Sequence, residues 1–316
     1  MTAHRIDDTG HGARAALLLG LGVALAGAAC SSSNGNGGAG GSGAGGGGGA
    51  EADAAVDTGP RSCSGKAIAL GANVPANGDQ AKARVMVDFG AAPGAGETSD
   101  LPIGNGPRTL ELWAFVPGTA WRGDANTVFE YGATSPTNGG FGLDFGGTAG
   151  TVDPYTNGSF DNDNQPSGIA DYMTDQWVHF AMTYDQTAVT LYVNGNYAMG
   201  TQGARKTVTN GVLNTAFSML TIGGNPRGAY FNGYIDEVRL WNVARTQEQI
   251  MASMGHTLSG NEAGLVGYWK LDDGDGTVAR DSVTAAGHTA HDGALMATSP
   301  AMLPTWIDSN APINCP

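Results

Sequence analysis

Residues 153–165 (DPYTNGSFDNDNQ) gather the side chains of this chain best suited to hold a polar ligand. Asp153, Asp161 and Asp163 stand with Asn157, Asn162 and Asn164, and the rings of Tyr155 and Phe160 lie between them. Carboxylates and amides hydrogen-bond hydroxyl groups or donate oxygen to a hard cation, and aromatic rings pack on the apolar faces of sugars. Trp121, an indole in a polar loop, is a further candidate for ligand contact. Asp and Asn are also what solvated turns favour, so the same composition describes a bare surface loop. Asp161 and Asp163 form a candidate calcium cluster, although their spacing is not that of an EF-hand and no Cys or His set has zinc spacing. A polysaccharide hydrolase or lyase would need paired acid and base groups in a groove. Glu130 and Asp144 lie on neighbouring predicted strands, and nothing in the sequence turns them toward each other. His179 reads as a buried strand residue, while His256, His288 and His291 have no serine elbow or paired carboxylate to act with.

These residues hang on strands. In 177–196 (WVHFAMTYDQTAVTLYVNGN), Val178, Phe180, Met182 and Tyr184 alternate with His179, Ala181 and Thr183, the period of a half-buried strand. Val189, Leu191 and Val193 repeat the pattern, and Asn194-Gly195 supplies a turn that tolerates positive φ. One apolar face per strand predicts a hairpin packed on one side only. Residues 109–116 (TLELWAFV) place aromatics on their second face, which predicts a central strand covered on both sides. Further strands are expected at 66–70, 83–89, 127–131, 141–145, 218–223, 233–241 and 265–271. Strict alternation in 233–241 (GYIDEVRLW) puts Asp236 on the side of Val238 and Leu240, where a carboxylate needs a partner or a metal. Residues 90–107, 146–175 and 200–211 read as loops. Residues 246–254 form the one helix, with Thr246 and Gln249 as a capping box. Trp113, Trp177, Trp241 and Trp269 sit in or beside strands and read as packing residues.

The chain has 316 residues, a formal net charge of -14 and only 15 Lys and Arg with no run among them, which excludes a nucleic-acid surface. Residues 1–29 carry a basic flank at Arg5 and Arg14 and an apolar stretch at 15–29, too short to span a membrane as a mature helix. They end in Gly27-Ala28-Ala29-Cys30, which resembles the lipobox of bacterial lipoproteins, whose cysteine is lipidated. That resemblance, with Ser31 rather than aspartate after the cysteine, implies a lipid anchor at Cys30 in the outer membrane. An ordinary secretory signal cleaved near the same alanines is the alternative. Residues 30–60 are Gly, Ala and Ser, without the bulk to repay ordering, and make a flexible tether of about 30 Å reach. Residues 61–316 remain as one folded unit with Cys63 and Cys315 at its ends. In an exported protein these read as one disulfide joining the terminal strands, worth about 5 kcal/mol by chain entropy. Free thiols are the alternative.

At this point a family resemblance is visible. Trp177-Val178-His179-Phe180 followed by Leu191-Tyr192-Val193-Asn194-Gly195 resembles the core of laminin G-like, concanavalin A-like jelly-roll domains. So do residues 231–242 (FNGYIDEVRLWN), with Ala244-Arg245-Thr246 opening the helix. Gly267-Tyr268-Trp269-Lys270-Leu271-Asp272, Asp281-Ser282 and His291-Asp292-Gly293 resemble the closing strands, all in the expected order. The resemblance implies an all-β jelly-roll sandwich with one short helix, preceded here by a signal peptide and a disordered linker. Members of the family are mostly binding or adhesive modules, some of which bind calcium and glycans. Following its terminal loops, Asp79, Asp281 and Asp292 are the implied structural calcium ligands. The Glu-x-Asp-x-x-Glu strand of the related glycosidases does not occur. The expectation is a non-catalytic recognition domain for a glycan or an extracellular protein, with an adhesive or envelope-structural role as the alternative.

Overall fold

A computed structural model of the chain describes residues 65–71, 82–90, 100–118, 126–132, 137–145, 152–156, 175–197, 205–208, 211–215, 218–225 and 228–314. The chain divides between Val56 and Asp57, and all described residues belong to the C-terminal unit. In chain order its strands are β1 Lys66–Leu70, β2 Arg84–Asp88, β3 Arg108–Phe115, β4 Asn126–Gly132, β5 Gly140–Phe145, β6 Val152–Tyr155, β7 Trp177–Tyr184 and β8 Ala188–Val193. They continue as β9 Asn196–Tyr197, β10 Arg205–Thr207, β11 Met219–Ile222, β12 Gly233–Trp241, β13 Leu265–Trp269, β14 Val278–Ala279, β15 Gly293–Met296 and β16 Thr305–Asp308. Helix α1, Gln247–Ser253, follows β12.

The strands form two antiparallel sheets of a jelly-roll-like sandwich. The first runs β10-β8-β7-β3-β12-β1-β16, with β13 also paired to β12 and β9 to β8; the second runs β14-β15-β2-β11-β4-β5-β6. The predicted alternation explains what lies between them. Leu110, Leu112 and Ala114 of β3, and Val178, Phe180, Met182 and Tyr184 of β7, face Val85, Val87, Phe129, Phe141, Leu143 and Ile222 of the second sheet in one buried core. Asn194 and Gly195 both take positive φ in the turn after β8, as expected. Gly233 is required by a close approach: a Cβ there would come within 2.3 Å of the Phe115 carbonyl oxygen.

Strict alternation fails in β12. Asp236 stands opposite Trp113 and Arg239 opposite Glu111, so two residues of β12 face Leu112 alone. Glu237 takes the bulge position at φ 53. The extra residue reverses the side-chain phase. Ile235, Val238 and Leu240 enter the core, whereas Asp236 lies on the outer face with Arg239 and Trp241. Its partner there is the Ser309 hydroxyl, which donates to Asp236 Oδ2 at 2.6 Å.

The 177–196 hairpin is not packed on one side only. Its second face is also buried, with Ala181 and Tyr192 under Ile250 of α1 and His179 beside Trp113. The capping box forms as expected: Thr246 Oγ1 accepts from Gln249 N and Gln249 Oε1 accepts from Thr246 N. Besides the two-residue strands β9 and β14, three longer strands were not predicted. β6 falls in the expected 146–175 loop, β10 in the expected 200–211 loop, and β16 pairs with β1 near the C-terminus. The last pairing brings the two ends of the described domain together, with Ser309 N donating to Gly65 O at 3.2 Å. The Cys63–Cys315 disulfide, lipidation at Cys30, the 1–29 leader and the 30–60 tether lie outside the described residues. Among the described residues no helix is long and apolar enough to cross a membrane.

Candidate functional site

The outer face of the second sheet collects polar side chains across four strands. Phe141, Leu143 and Phe145 of β5 point into the core, so Gly142 and Asp144 point out. Register then sets their neighbours. Gly142 stands between Glu130 of β4 and Tyr155 of β6, and Thr221 of β11 stands beyond Glu130. Asp144 stands between Thr127 of β4 and the strand position of Asp153 in β6. Glu130 and Asp144 therefore share one face of two paired strands, as diagonal neighbours. Asn225 Nδ2 donates to Thr127 Oγ1 at 2.6 Å, and Thr221 Oγ1 donates to the Gly224 carbonyl at 2.5 Å. Glu130 and Asp144 are only 2% and 8% exposed, so they form the floor of this face rather than its rim.

Tyr155, expected as an open platform, is laid flat into that floor. A Cβ on Gly142 would come within 2.3 Å of Tyr155 Cζ, so the glycine makes the seat for the ring. Strand β6 is an edge strand, and the chain leaves it directly into the Asp- and Asn-rich remainder of 153–165. Trp121, Phe160, Asp161, Asp163 and the side chain of Asp153 lie outside the described residues.

The implied terminal-loop ligands divide. Asp79 lies outside the described residues, while Asp281 N donates to Asp292 Oδ1 at 2.9 Å, so these two do meet. Asp281 itself is saturated with N–H donors. Its Oδ1 accepts from Tyr268 N and Val283 N, and its Oδ2 from His291 N and His288 Nε2 at 2.8 Å. Those four bonds use the roughly four acceptor positions of a carboxylate. His288 Nδ1 reaches Asp100 Oδ2 at 3.2 Å, so this ring ties the β2–β3 connection to the closing strands. Burial pulls the neighbouring His291 below the ordinary histidine value, against the upward pull of Asp281. Among the described residues no group of three or more His, Cys, Asp or Glu is arranged to hold a metal ion.

A second polar system, which sequence reasoning missed, lies on the outer face of the first sheet. Glu111 Oε1 accepts from Trp241 Nε1 at 2.9 Å and from Arg245 Nη1 at 2.6 Å, with Arg239 Nη1 at 3.8 Å. Arg239 donates to Glu237 Oε2 and to the carbonyls of His256 and Ser253, and Tyr268 Oη donates to the same Glu237 oxygen at 2.6 Å. Burial would lower the Arg239 guanidinium, but Glu237 and Glu111 outweigh it and hold the group above its ordinary value. Burial drives His179 well below its usual range, reinforced by Arg239 and Arg245, so the ring is neutral. This network reads as a clamp. Trp113 Nε1 and Arg239 both bind carbonyls at the end of α1, fixing the helix to the sheet. The signal was the charge itself: Glu111, Glu237 and Arg239 sit in strands flanked by aromatics.

The profile of the concanavalin A-like lectin/glucanases superfamily matches residues 91–251, half of the chain, and takes in both faces of this site. The chain belongs to that superfamily. An 83-residue stretch is 37% identical to human pappalysin-1 and 36% identical to the mouse protein, covering 26% of this chain and 5% of each relative. The chain thus spans a small fraction of the curated relatives it matches. Among solved structures it is similar to a putative carbohydrate binding protein from Bacteroides ovatus, at 22% identity and TM-score 0.47 over 79% of this chain and 61% of that one. It is also similar to a SAP-like pentraxin from Limulus polyphemus, at 12% identity and TM-score 0.39 over 60% and 81% of the two chains. As a superfamily member it has a fold compatible with carbohydrate recognition.

Proposed function

We propose that this protein is a non-catalytic, surface-tethered recognition module that binds glycan at the β6 edge of its second sheet. The observation behind this reading is the register of β6. It sets Tyr155 opposite Gly142 and Asp153 opposite Asp144, beside Glu130, and sends the chain from there into the rest of 153–165. Polar groups on a sheet face fix the orientation of sugar hydroxyls, and Phe160 and Trp121 supply rings for stacking. Export and lipidation at Cys30 place the domain outside the cell on its flexible linker. Calcium belongs to the same proposal through Asp79 and Asp292.

Binding of the chain to a glycan array, repeated with Phe160→Ala and with Asp161→Asn plus Asp163→Asn, tests the assignment. The reading expects a defined set of glycans whose signal falls at least tenfold in both variants. Absence of any glycan signal, with the fold intact by circular dichroism, would leave the adhesive or envelope-structural role in its place.

The placement of Glu130 and Asp144 on one face favours a second reading, an acid–base pair acting on a polysaccharide. Release of reducing ends from array-positive glycans, abolished by Glu130→Gln, would replace recognition with hydrolysis.

A further inference from the structure

Helix α1 rests on the turn after β8 through two thioethers. A Cβ on Gly195 would come within 2.6 Å of Met251 Cγ and 3.2 Å of Met254 Sδ. The two methionines stand at i and i+3 on one face of the helix end and meet over this glycine. Their exposure differs. Met251 is 50% exposed, and it is the only exposed methionine among the described residues. Met254 is half-buried beside it, whereas Met182 is sealed in the core.

Both sides of this contact are joints of the structure. Met254 is the C-cap of α1: its N–H donates to the Ile250 carbonyl, and its own carbonyl accepts from Trp113 Nε1 at 2.8 Å. The turn opposite is fixed to β7 through Asn194. Its N–H donates to the His179 carbonyl, and its Oδ1 accepts from His179 N at 2.9 Å. A chemical change in the thioethers therefore acts where the helix meets the hairpin.

Hydrogen peroxide converts a thioether to a sulfoxide. The sulfur lone pair attacks one peroxide oxygen, the O–O bond breaks, and the other oxygen leaves as water. Sulfur is oxidised by two electrons and the peroxide is reduced by two. The product is polar and chiral, and it no longer packs as a flexible apolar chain. We propose that Met251 and Met254 form a two-stage oxidation site for hydrogen peroxide. Met251 reacts first, and until then it shields the sulfur of Met254. Its sulfoxide turns to water, Met254 is uncovered and oxidised in turn, and α1 loosens from the 194–197 turn.

The test is peptide mass mapping of the full chain during exposure to hydrogen peroxide, with hydrogen exchange on the same samples. Met251 should gain oxygen first among the described methionines, and Met254 should follow after a lag. Met182 should stay unmodified throughout. Exchange should quicken at 194–197 and 247–254 only once Met254 has reacted. Met251→Leu keeps the cover without the reactive sulfur and should slow Met254 several-fold. Met251→Ala removes the cover and should speed Met254 several-fold. Reaction of Met254 without a lag, or at one rate in wild type and both variants, would overturn the proposal. So would unchanged exchange after both sulfurs are oxidised.

Discussion

Replacing Glu111 with glutamine tests whether charge holds α1 against the first sheet. Glu111 is fully buried, and its Oε1 takes the Trp241 indole at 2.9 Å and Arg245 at 2.6 Å, with Arg239 at 3.8 Å. Glutamine keeps the shape and one acceptor but removes the charge. Arg239 and Arg245 are then left with Glu237 as the only buried carboxylate in this network, and Arg239 already holds it at 2.5 Å. Removing one partner of a buried pair costs about 3–5 kcal/mol because the other charge stays behind. For a domain of this size that lowers Tm by roughly 6–20 °C. Arg245→Met in the Glu111→Gln background removes the stranded cation and should recover part of the loss. Urea and thermal unfolding of the two single variants and the double variant give all the terms, and hydrogen exchange in α1 should quicken first. A loss below about 1 kcal/mol, the range of an exposed pair, would refute the clamp. A double variant less stable than the sum of its singles would refute it equally.

Asp236 is pushed well above the ordinary aspartate value, by burial first and against its bond from Ser309. The folded state then holds this proton when the unfolded chain has lost it. Stability should therefore fall as pH rises from about 3.9 through the raised native value. Asp236→Asn should flatten that slope in a series of pH-dependent melts; an unchanged slope would assign it to other groups. Thr246→Ala removes the α1 cap and should cost about 1 kcal/mol in urea unfolding, with no change in glycan binding. Gly142→Ala drives a methyl into the Tyr155 ring and should weaken glycan binding several-fold while the near-ultraviolet signal of the core persists. Asp281→Asn should lower Tm equally in calcium and in EDTA, because its donors are N–H groups. A calcium-dependent rise in Tm that this variant abolishes would return Asp281 to the ion.

Much of the sandwich was legible because β3, β7 and β8 keep period two, and the helix announces itself through Thr246 and Gln249. The phase of Asp236 was not. A bulge at a glycine would leave a trace, but this one takes positive φ at Glu237, whose type gives no warning. The second face of the hairpin was misread because Ala181 and Tyr192 stand where period two puts solvent-facing residues, until Ile250 of α1, from much later in the chain, covers them. β6 was hidden by Pro154 and its polar flanks, a combination that survives only at a sheet edge. Glu130 and Asp144 were visible as carboxylates on neighbouring strands, but the face each occupies depends on cross-strand register, including a shift between Thr127 and Phe129. Arg108 was passed over because a lone arginine opening a strand reads as solvated, whereas rings brought from β4, β5 and β7 bury it.

Hydrogen exchange of the chain with and without an array-selected glycan tests the recognition site most directly. The account predicts protection confined to β5, β6 and the remainder of 153–165, with the first sheet and α1 unchanged. Protection on the α1 face, or none at saturating glycan, would contradict it.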